Sequence, residues 1–434
     1  MARSGAAGGA TSSLTRVTLE PAEREALQRH TTKVLRVAVV PAQAAVSGTI
    51  AVVTLLGSSM LTSDRLSGLG SAAFTLGSAA ASVPLAAVMR RRGRRPGLAG
   101  ALAIGAVGAG VAATGGQLRW FWLFLVGTFV FGVAQAGSLQ ARYVAADLAA
   151  PDDRARSIGS IVWIGTIGAV IGPLVTPFER DVGTWLGLDE YIGPYLFAGL
   201  FMMVGAAVYQ VFLRPDPLVV LGATDPHAPR ARPIRQTRAA YRVIAGSPGA
   251  VLGIVSMVIA QSAMVAVMTM TPPHMKDHGH SELSAYVIAL HVVGMFGLSP
   301  FVGRFIDRVG AIKAIQLGAL ILGAGTVSSV IAGYVPLLMF VGLFLLGLGW
   351  SLGMIAGTTL LTSSVPDSSR VEAQGAGDLT MSACSAVAAF GSGFVKSAAG
   401  FHVLADVATA SAAVLLVIAW FAASRVTRRP AISG

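Results

Sequence analysis

Charged residues are scarce in this sequence. Asp, Glu, Lys and Arg together make up 12% of the 434 residues, whereas 54% are hydrophobic and the mean hydropathy is +0.70. A typical soluble protein carries about 25% charged residues, so this chain cannot cover a water-exposed surface. The composition excludes a soluble globular protein and predicts a chain whose main solvent is the lipid bilayer.

The motifs that mark many enzymes are also missing. The sequence contains no His-Glu-x-x-His and no Gly-x-Ser-x-Gly, and no glycine is followed by lysine, which excludes a P-loop for ATP. The single cysteine, Cys384, excludes an intramolecular disulfide. We therefore predict a protein that is not an enzyme and has no cofactor, and whose energy comes from coupling to an ion gradient.

Positive charge exceeds negative charge, and the net charge is +12. The cations form short clusters between apolar runs instead of one basic domain, so they indicate membrane topology and no nucleic-acid partner. Most fall on one set of alternate connections. The other set holds only Arg65, Arg119, Arg180, Lys276 and Lys396. The positive-inside rule then predicts a multi-pass protein of the cytoplasmic membrane with both termini in the cytoplasm.

Twelve apolar runs are long enough to cross a membrane, because about 20 helical residues span about 30 Å. They lie at 36–57, 69–89, 97–115, 120–141, 157–177, 192–213, 247–270, 283–303, 312–332, 335–361, 375–395 and 403–424. This pattern predicts an all-α membrane protein with twelve transmembrane helices in two six-helix, pseudo-symmetric halves. The predicted regions are a cytoplasmic N-terminal tail (1–33), a first bundle (34–213), a cytoplasmic linker (214–246), a second bundle (247–425) and a cytoplasmic C-terminal tail (426–434).

One charged loop occurs once in each half. Residues 90–95 are Arg-Arg-Arg-Gly-Arg-Arg, and residues 303–310 are Gly-Arg-Phe-Ile-Asp-Arg-Val-Gly. Each follows a long apolar run, and an offset of 217 residues aligns Gly93 with Gly310. A charged hairpin repeated in this way within an apolar chain indicates a duplicated membrane transporter.

The second copy, Gly303-x-x-x-Asp307-Arg308-x-Gly310, resembles the signature cytoplasmic loop of the major facilitator superfamily, G-x-x-x-D-R-x-G-R-R. The resemblance implies the twelve-helix fold of that superfamily and transport by alternating access, in which the Asp and Arg hold one face closed. The first copy has Arg90 where the motif has aspartate, which assigns the intact gate to the C-terminal half. The predicted gating residues are Arg91, Arg94, Gly303, Asp307, Arg308 and Gly310.

Small residues recur on the fifth run. Gly159-x8-Gly168-x3-Gly172-Pro173 resembles the antiporter motif of the same superfamily, except that Thr176 replaces its last glycine. The resemblance implies export by exchange, typically with protons. The alternative is ordinary helix packing, since small residues at this spacing let two helix backbones approach and proline lets the helix bend.

Two charges fall inside apolar runs, Arg142 in the fourth and Asp378 at the start of the eleventh. Each lies about eight residues from the nearest polar connection, roughly 10 Å deep at 1.5 Å per residue. A lone charge at the bilayer centre costs about 2.5–3.5 kcal/mol, so such residues usually face a cavity or a partner. We predict that both act in substrate binding or ion coupling, with Gln140 and Gln374 as polar companions. The alternative is a structural ion pair.

Methionine and histidine cluster around the seventh and eighth runs. Met264 and Met268 are four residues apart, as are His291 and Met295, so each pair shares a helix face. Thioether and imidazole groups suit Cu(I), and the arrangement resembles the CcoA-type copper importers of the same superfamily. Two alternatives stay open: the methionines fill apolar contacts, or a related importer, such as one for riboflavin, keeps them for structural reasons.

Three functional hypotheses follow. The first is a monomeric secondary transporter that moves a small solute or metal ion across the cytoplasmic membrane, with Cu as the transported substrate. The second is proton-coupled efflux of a small organic compound through Asp378 and the motif on the fifth run. The third, from a different class, is a non-transporting receptor or scaffold built on the same fold.

Overall fold

The protein is described by a computed structural model at residues 20–60, 69–225, 233–277, 283–332 and 335–426, and these residues contain helices and no strand. The helices are α1 (Pro21–Ser59), α2 (Leu69–Arg92), α3 (Arg94–Gln117), α4 (Phe121–Asp147), α5 (Arg154–Trp185), α6 (Gly193–Phe212), α7 (Pro217–Val220), α8 (Pro233–Ala245), α9 (Pro248–Asp277), α10 (Ser284–Val292), α11 (Ser299–Val309), α12 (Ala311–Ala332), α13 (Pro336–Ser363) and α14 (Arg370–Val426). A π-helical segment, Val293–Gly297, connects α10 with α11.

The predicted spans coincide with these helices. Within the described residues, nine helices are long and apolar enough to cross a membrane, and the bent pair of α10 and α11 adds a tenth. The first predicted span lies in α1, and α14 holds the last two spans on either side of a break at Gly400, where φ is 89°. The all-helical architecture satisfies backbone hydrogen bonds within each segment, as lipid requires. The twelve-helix prediction is confirmed.

The first helix begins earlier than predicted. Residues 21–33 were expected to form part of a tail, but α1 begins at Pro21. Its polar first turns lie against the end of α4, where Arg24 Nε donates to the Leu148 carbonyl oxygen (2.9 Å) and Gln28 Nε2 donates to that of Ala145 (2.7 Å). The last carbonyls of a helix lack partners within it. These side chains supply them, so hydropathy alone misplaced the start of the helix.

The linker predicted at 214–246 contains two short helices, α7 and α8. Asp216 caps α7, because its carboxylate accepts from the Leu218 and Val219 amides, and it also accepts from the Arg95 amide at 2.7 Å. On α8, the Tyr241 hydroxyl is hydrogen-bonded to Thr380 of α14. The linker is therefore attached to both halves. The C-terminal tail predicted at 426–434 lies outside the described residues apart from Val426.

Two glycines break the chain at equivalent places in the two halves. Gly93 separates α2 from α3 with φ 96°, and Gly310 separates α11 from α12 with φ 89°. Both φ values lie in the left-handed region that glycine adopts without strain. Each glycine amide also donates to the carbonyl four residues earlier. We call the end of the bundle that carries Gly93 and Gly310 the terminal face, because α1 begins and α14 ends there.

Candidate functional site

Arg94 lies at the centre of a buried polar cluster just inside the terminal face. It is the first residue of α3, directly after Gly93, and its side chain is fully buried. Its guanidinium donates two bonds to the Asp147 carboxylate, at 2.8 and 3.1 Å. It also donates to the amide oxygens of Gln140 (3.3 Å) and Gln374 (2.9 Å). Gln374 belongs to α14, so this contact joins the two halves.

Arg142 and Asp378 form a buried ion pair between α4 and α14. The two residues are 4% and 1% exposed, and Arg142 Nη2 is bonded to Asp378 Oδ1. Asp378 also accepts from the Tyr143 hydroxyl (3.1 Å) and from Gln140 Nε2 (3.0 Å). The carboxylate of one half is therefore held by three side chains of the other half.

These residues form one hydrogen-bonded unit, because Gln140 accepts from Arg94 and donates to Asp378. We call this unit the central network, and it consists of Arg94, Gln140, Arg142, Tyr143, Asp147, Gln374 and Asp378. Its two guanidinium groups balance its two carboxylates. Buried charges persist only when they are paired and hydrogen-bonded in this way.

The structure brings together all four residues predicted for substrate or ion coupling. Arg94, predicted for gating, joins them. Sequence reasoning did not place Tyr143 or Asp147 in the site, although Asp147 follows Tyr143 by one helical turn. A crevice on the terminal side of the network, between Tyr143, Asp147, Arg154 and Arg370, has no room for a water molecule. The terminal face is thus sealed at the network.

Asp307 makes a second contact between the halves. Its carboxylate accepts from the backbone amides of Ala155 (3.0 Å) and Arg156 (2.9 Å) in the first turn of α5. A helix N-terminus carries partial positive charge and unpaired amides, so a carboxylate is stabilised there. The helices cross closely beside it. A Cβ on Gly303 would lie 2.7 Å from the Ala155 carbonyl oxygen, and one on Gly159 would lie 2.5 Å from that of Ser299.

Arg90 makes the corresponding contact at the other side of the bundle. Its guanidinium is paired with the Glu372 carboxylate in the first turn of α14 and donates to the Ser368 carbonyl oxygen at 2.9 Å. These side chains are 30% and 19% exposed. The loop that lacks the aspartate of the motif is therefore also bonded across the halves.

The two contacts are pseudo-symmetric with opposite polarity. Arg90 and Asp307 are related by the 217-residue offset of the loops. The helices α5 and α14 each follow a three-residue 3₁₀ turn and begin 216 residues apart, which relates Arg156 to Glu372. In the second half, the loop supplies the acid and the base is at the helix start. In the first half, the loop supplies the base and the acid is at the helix start.

The remaining predicted gating arginines lie outside these contacts. Arg308 is exposed and Arg91 is half-buried. Among the residues that the structure describes, neither forms an ion pair. The alignment of the loops placed them at equivalent positions, but the structure gives the contacts to their neighbours Asp307 and Arg90.

The glycines predicted as an antiporter motif lie mainly against α1. A Cβ on Gly168 would lie 2.3 Å from the Val40 carbonyl oxygen, and one on Gly172 would lie 2.4 Å from that of Ala44. Pro173 follows within α5. This part of the motif packs two helices of the same half, and only Gly159 lies at the contact between halves.

A cavity lies on the other side of the central network. It has a volume of about 170 Å³ and is lined by α2, α4, α9 and α14. On α4, Gln135 lies five residues from Gln140 in the direction away from the terminal face. On α14, Ser382 lies four residues beyond Asp378. At 1.5 Å per residue, the cavity begins roughly 6–8 Å from the network.

Comparison with known proteins agrees with this architecture. A profile of the Major Facilitator Superfamily matches residues 37–390 and 298–432. The chain belongs to the major facilitator superfamily. It is therefore a membrane transporter rather than an enzyme, and the predicted superfamily is confirmed.

Individual members of the superfamily show how far the similarity extends. The uncharacterized MFS-type transporter YddS of Bacillus subtilis (strain 168) is 32% identical over 405 residues, which cover 92% of this chain and 93% of that protein. The riboflavin transporter RfnT of Brucella anthropi is 30% identical over 356 residues, with coverage of 81% and 85%. The crystal structure of the human organic anion transporter MFSD10 (TETRAN) has a TM-score of 0.72 at 18% identity, covering 90% of this chain and 99% of that chain. This last similarity shows the fold alone.

The residues predicted as copper ligands in this superfamily member are engaged in packing. Met264 and Met295 belong to one buried apolar cluster, and Met268 packs against it. His291 is buried, with Nδ1 2.7 Å from the Leu343 carbonyl oxygen. The described residues contain no group of three or more His, Cys, Asp or Glu side chains that could hold a metal ion. Copper uptake therefore receives no support, and the resemblance to copper importers remains unconfirmed.

Proposed function

We propose that this secondary transporter moves its solute by alternating access, with the central network acting as both the gate of the terminal face and the site of ion coupling. The observation that carries the proposal is the ion pair between Arg142 and Asp378. It joins the halves, is buried, and includes a group that can take up a proton.

The geometry supports a terminal face that is closed in this structure. The contacts between halves described above are those of the central network, of Asp307 and of Arg90, and all lie at or near that face. The cavity lies on the far side of the network. The positive-inside prediction makes the terminal face cytoplasmic, so a solute would reach the cavity from outside.

Protonation of Asp378 is the proposed coupling step. The neutral carboxyl would attract Arg142 far less, because the Coulomb energy of the pair is lost. It would also accept less strongly from Tyr143 and Gln140, since hydrogen bonds to a charged acceptor are about twice as strong as neutral ones. Proton uptake thus weakens three bonds between the halves at once.

The contacts of Asp307 and Arg90 are the proposed outer bolts of the same gate. Opening the terminal face separates α5 from α11 and α2 from α14, so both contacts must break. Each contact pairs a loop of one half with the first turn of a helix of the other. Their opposite polarity leaves the gate intact even though only one loop carries the aspartate.

Riboflavin is the first solute to test, because the relative RfnT is named as a riboflavin transporter. The purified protein is reconstituted in liposomes and given a bacterial small-molecule extract supplemented with riboflavin, with and without a pH gradient. We expect at least one solute to accumulate against its concentration gradient, as measured by mass spectrometry, and a protonophore to abolish this accumulation.

Empty liposomes provide the control for this experiment. If no solute in the supplemented extract crosses the protein-containing membranes faster than the empty ones, the transport proposal fails, and the receptor or scaffold hypothesis gains support. Accumulation that persists in the presence of a protonophore would remove protons as the coupling ion.

A further inference from the structure

We infer that the transported solute is small, uncharged and rich in hydrogen-bonding groups, and that it binds in the cavity between Ser78, Gln135 and Gln261. This inference rests on the proposed function and specifies its substrate class. It is carried by the chemistry of the cavity wall, by polar atoms that the fold leaves without partners, and by the balance of charge in the central network.

The cavity wall offers amides and hydroxyls. The polar side chains among the described residues that line it are Thr75, Ser78, Gln135, Gln261, Ser382 and Ser385. None of these described lining residues carries a charge. The polar groups come from α2 and α4 in one half and from α9 and α14 in the other. A solute held by both sets would bridge the halves.

Two of the polar groups are buried without a hydrogen-bond partner. These are the Gln135 Oε1 atom and the Ser78 hydroxyl, for which no described residue provides a partner. Leaving such a group unsatisfied costs about 1–3 kcal/mol. A solute with matching donors and acceptors would remove this cost, so both atoms indicate where a ligand bonds.

The helix packing holds these two groups in place. A Cβ on Gly77 would lie 1.8 Å from the Phe129 carbonyl oxygen, and one on Gly132 would lie 2.8 Å from the Ser78 amide nitrogen. Glycine at both positions therefore allows α2 and α4 to approach closely. Ser78 and Gln135 lie one residue and three residues beyond these glycines, and the rigid crossing fixes their positions.

Gln261 is oriented for a complementary role. Its Oε1 accepts from the indole N–H of Trp350 at 2.6 Å, and the Trp350 ring is packed edge-on against Phe296. This bond fixes the amide orientation and leaves the Nε2 donors for another partner. The cavity can thus offer donors from Gln261 and an acceptor from Gln135, on opposite halves.

The charges nearest to the cavity are already paired. Asp378 accepts from three side chains, and Arg94 donates to Asp147, Gln140 and Gln374. A charged solute would lose its hydration shell without gaining an opposite charge, which is costly in a buried site. An uncharged solute avoids that cost.

The size of the cavity limits the solute further. A volume of about 170 Å³ is below the roughly 300 Å³ at the lower end of pockets for drug-sized ligands. Apolar walls from Phe74, Val265 and Met381 complete the enclosure. The site therefore accommodates a compact molecule, or one hydrogen-bonding segment of a larger molecule.

The test uses the same riboflavin-supplemented extract, separated by ion exchange into anionic, cationic and neutral fractions. Liposomes containing the full-length protein receive each fraction in turn, and mass spectrometry identifies what accumulates. We expect accumulation from the neutral fraction. Accumulation only from a charged fraction would overturn the inference while leaving the transport proposal intact. Accumulation from none of the three would contradict the proposed function itself.

Substitutions at the cavity provide the second arm. Gln135→Leu and Ser78→Ala should each raise the half-saturating concentration of the accumulated solute by about three- to tenfold, the effect of one lost hydrogen bond. Gln316→Leu is the matched control, because Gln316 lies on α12 and donates to the Ala419 carbonyl oxygen. Unchanged saturation in both cavity variants would overturn the assignment of the site. If Gln135→Leu does not fold, the smaller change at Ser78 decides.

Discussion

Asp378→Asn should abolish accumulation of solute against its gradient while exchange of solute across the membrane continues. Gradient-driven transport requires a group that takes up a proton on one side and releases it on the other, and an amide cannot do so. Exchange returns the carrier loaded with solute and needs no proton release. The measurement is paired: gradient-driven uptake and solute exchange, in the same liposomes.

The asparagine also leaves Arg142 without its counter-charge. Removing one partner of a buried ion pair typically costs about 3–5 kcal/mol, so the single variant is expected to be less stable. The double variant Arg142→Gln/Asp378→Asn removes both charges and should recover stability without recovering accumulation. This separates the coupling role from a purely structural ion pair.

Asp406→Asn is the matched control for this substitution. Asp406 lies on α14 with Asp378, but it is exposed and far from the network. We expect normal accumulation in this variant. If the double variant accumulates solute as the unmodified protein does, Asp378 is not the coupling site.

Reversing the charge of Arg90 or Glu372 should open the terminal face, and reversing both should close it again. Arg90→Glu places two carboxylates together, and Glu372→Arg places two guanidinium groups together. The double variant restores an ion pair with the polarity exchanged. Recovery in the double variant is the result that distinguishes a gate contact from two unrelated structural effects.

The readout is the reaction rate of one introduced cysteine. Cys384→Ser provides a background without cysteine, since Cys384 is the single cysteine. Thr362→Cys then places a thiol beside the sealed crevice under the network, where Thr362 is 3% exposed. A membrane-impermeant thiol reagent applied to the terminal face should label it slowly when the gate is closed.

The expected size of the effect follows from the exposure of the pair. Ion pairs that are partly accessible to water contribute up to about 1 kcal/mol, and like charges add a repulsion of similar size. At 1.4 kcal/mol per factor of ten, each single reversal should raise the labelling rate about five- to twentyfold. Arg92→Glu, at an exposed neighbouring position, should leave it unchanged. Equal rates in the single and double variants would contradict a gating role for the pair.

Much of this arrangement could be predicted from sequence because membrane chains obey strong composition rules. Arg142 and Asp378 stood out since a charge within an apolar run is costly without a partner. Their partnership in the structure matches one of the two alternatives, an ion pair between halves, and the proposed coupling role requires the same pairing.

Contacts that depend on the crossing of the halves could not be predicted. The bond between Arg90 and Glu372 joins residues 282 positions apart, and no local pattern marks it. The loops repeat with one offset and the partner helices with another, so a single alignment register hides the correspondence between Glu372 and Arg156. Sequence comparison showed a motif that had lost its aspartate. The structure shows that the contact itself is kept.

Methionine is the residue for which sequence reasoning had least power. Met264 and Met295 share a helix-face spacing that suits metal ligation, yet the same spacing places side chains in a helix interface. An unbranched, flexible side chain fills such interfaces well. Only the surrounding residues distinguish the two roles, and here they are apolar.

The most direct test of the account is the distance between the two halves at the terminal face. Spin labels at Arg92→Cys and Lys313→Cys, both exposed sites at this face, report that distance in the Cys384→Ser background by pulsed electron paramagnetic resonance. We predict one short distance at high pH, and a second, longer distance that grows as the pH falls and Asp378 takes up a proton. In the Asp378→Asn variant, the longer distance should be present at every pH. A single distance that stays the same in both proteins at all pH values, while solute still crosses the membrane, would contradict the account.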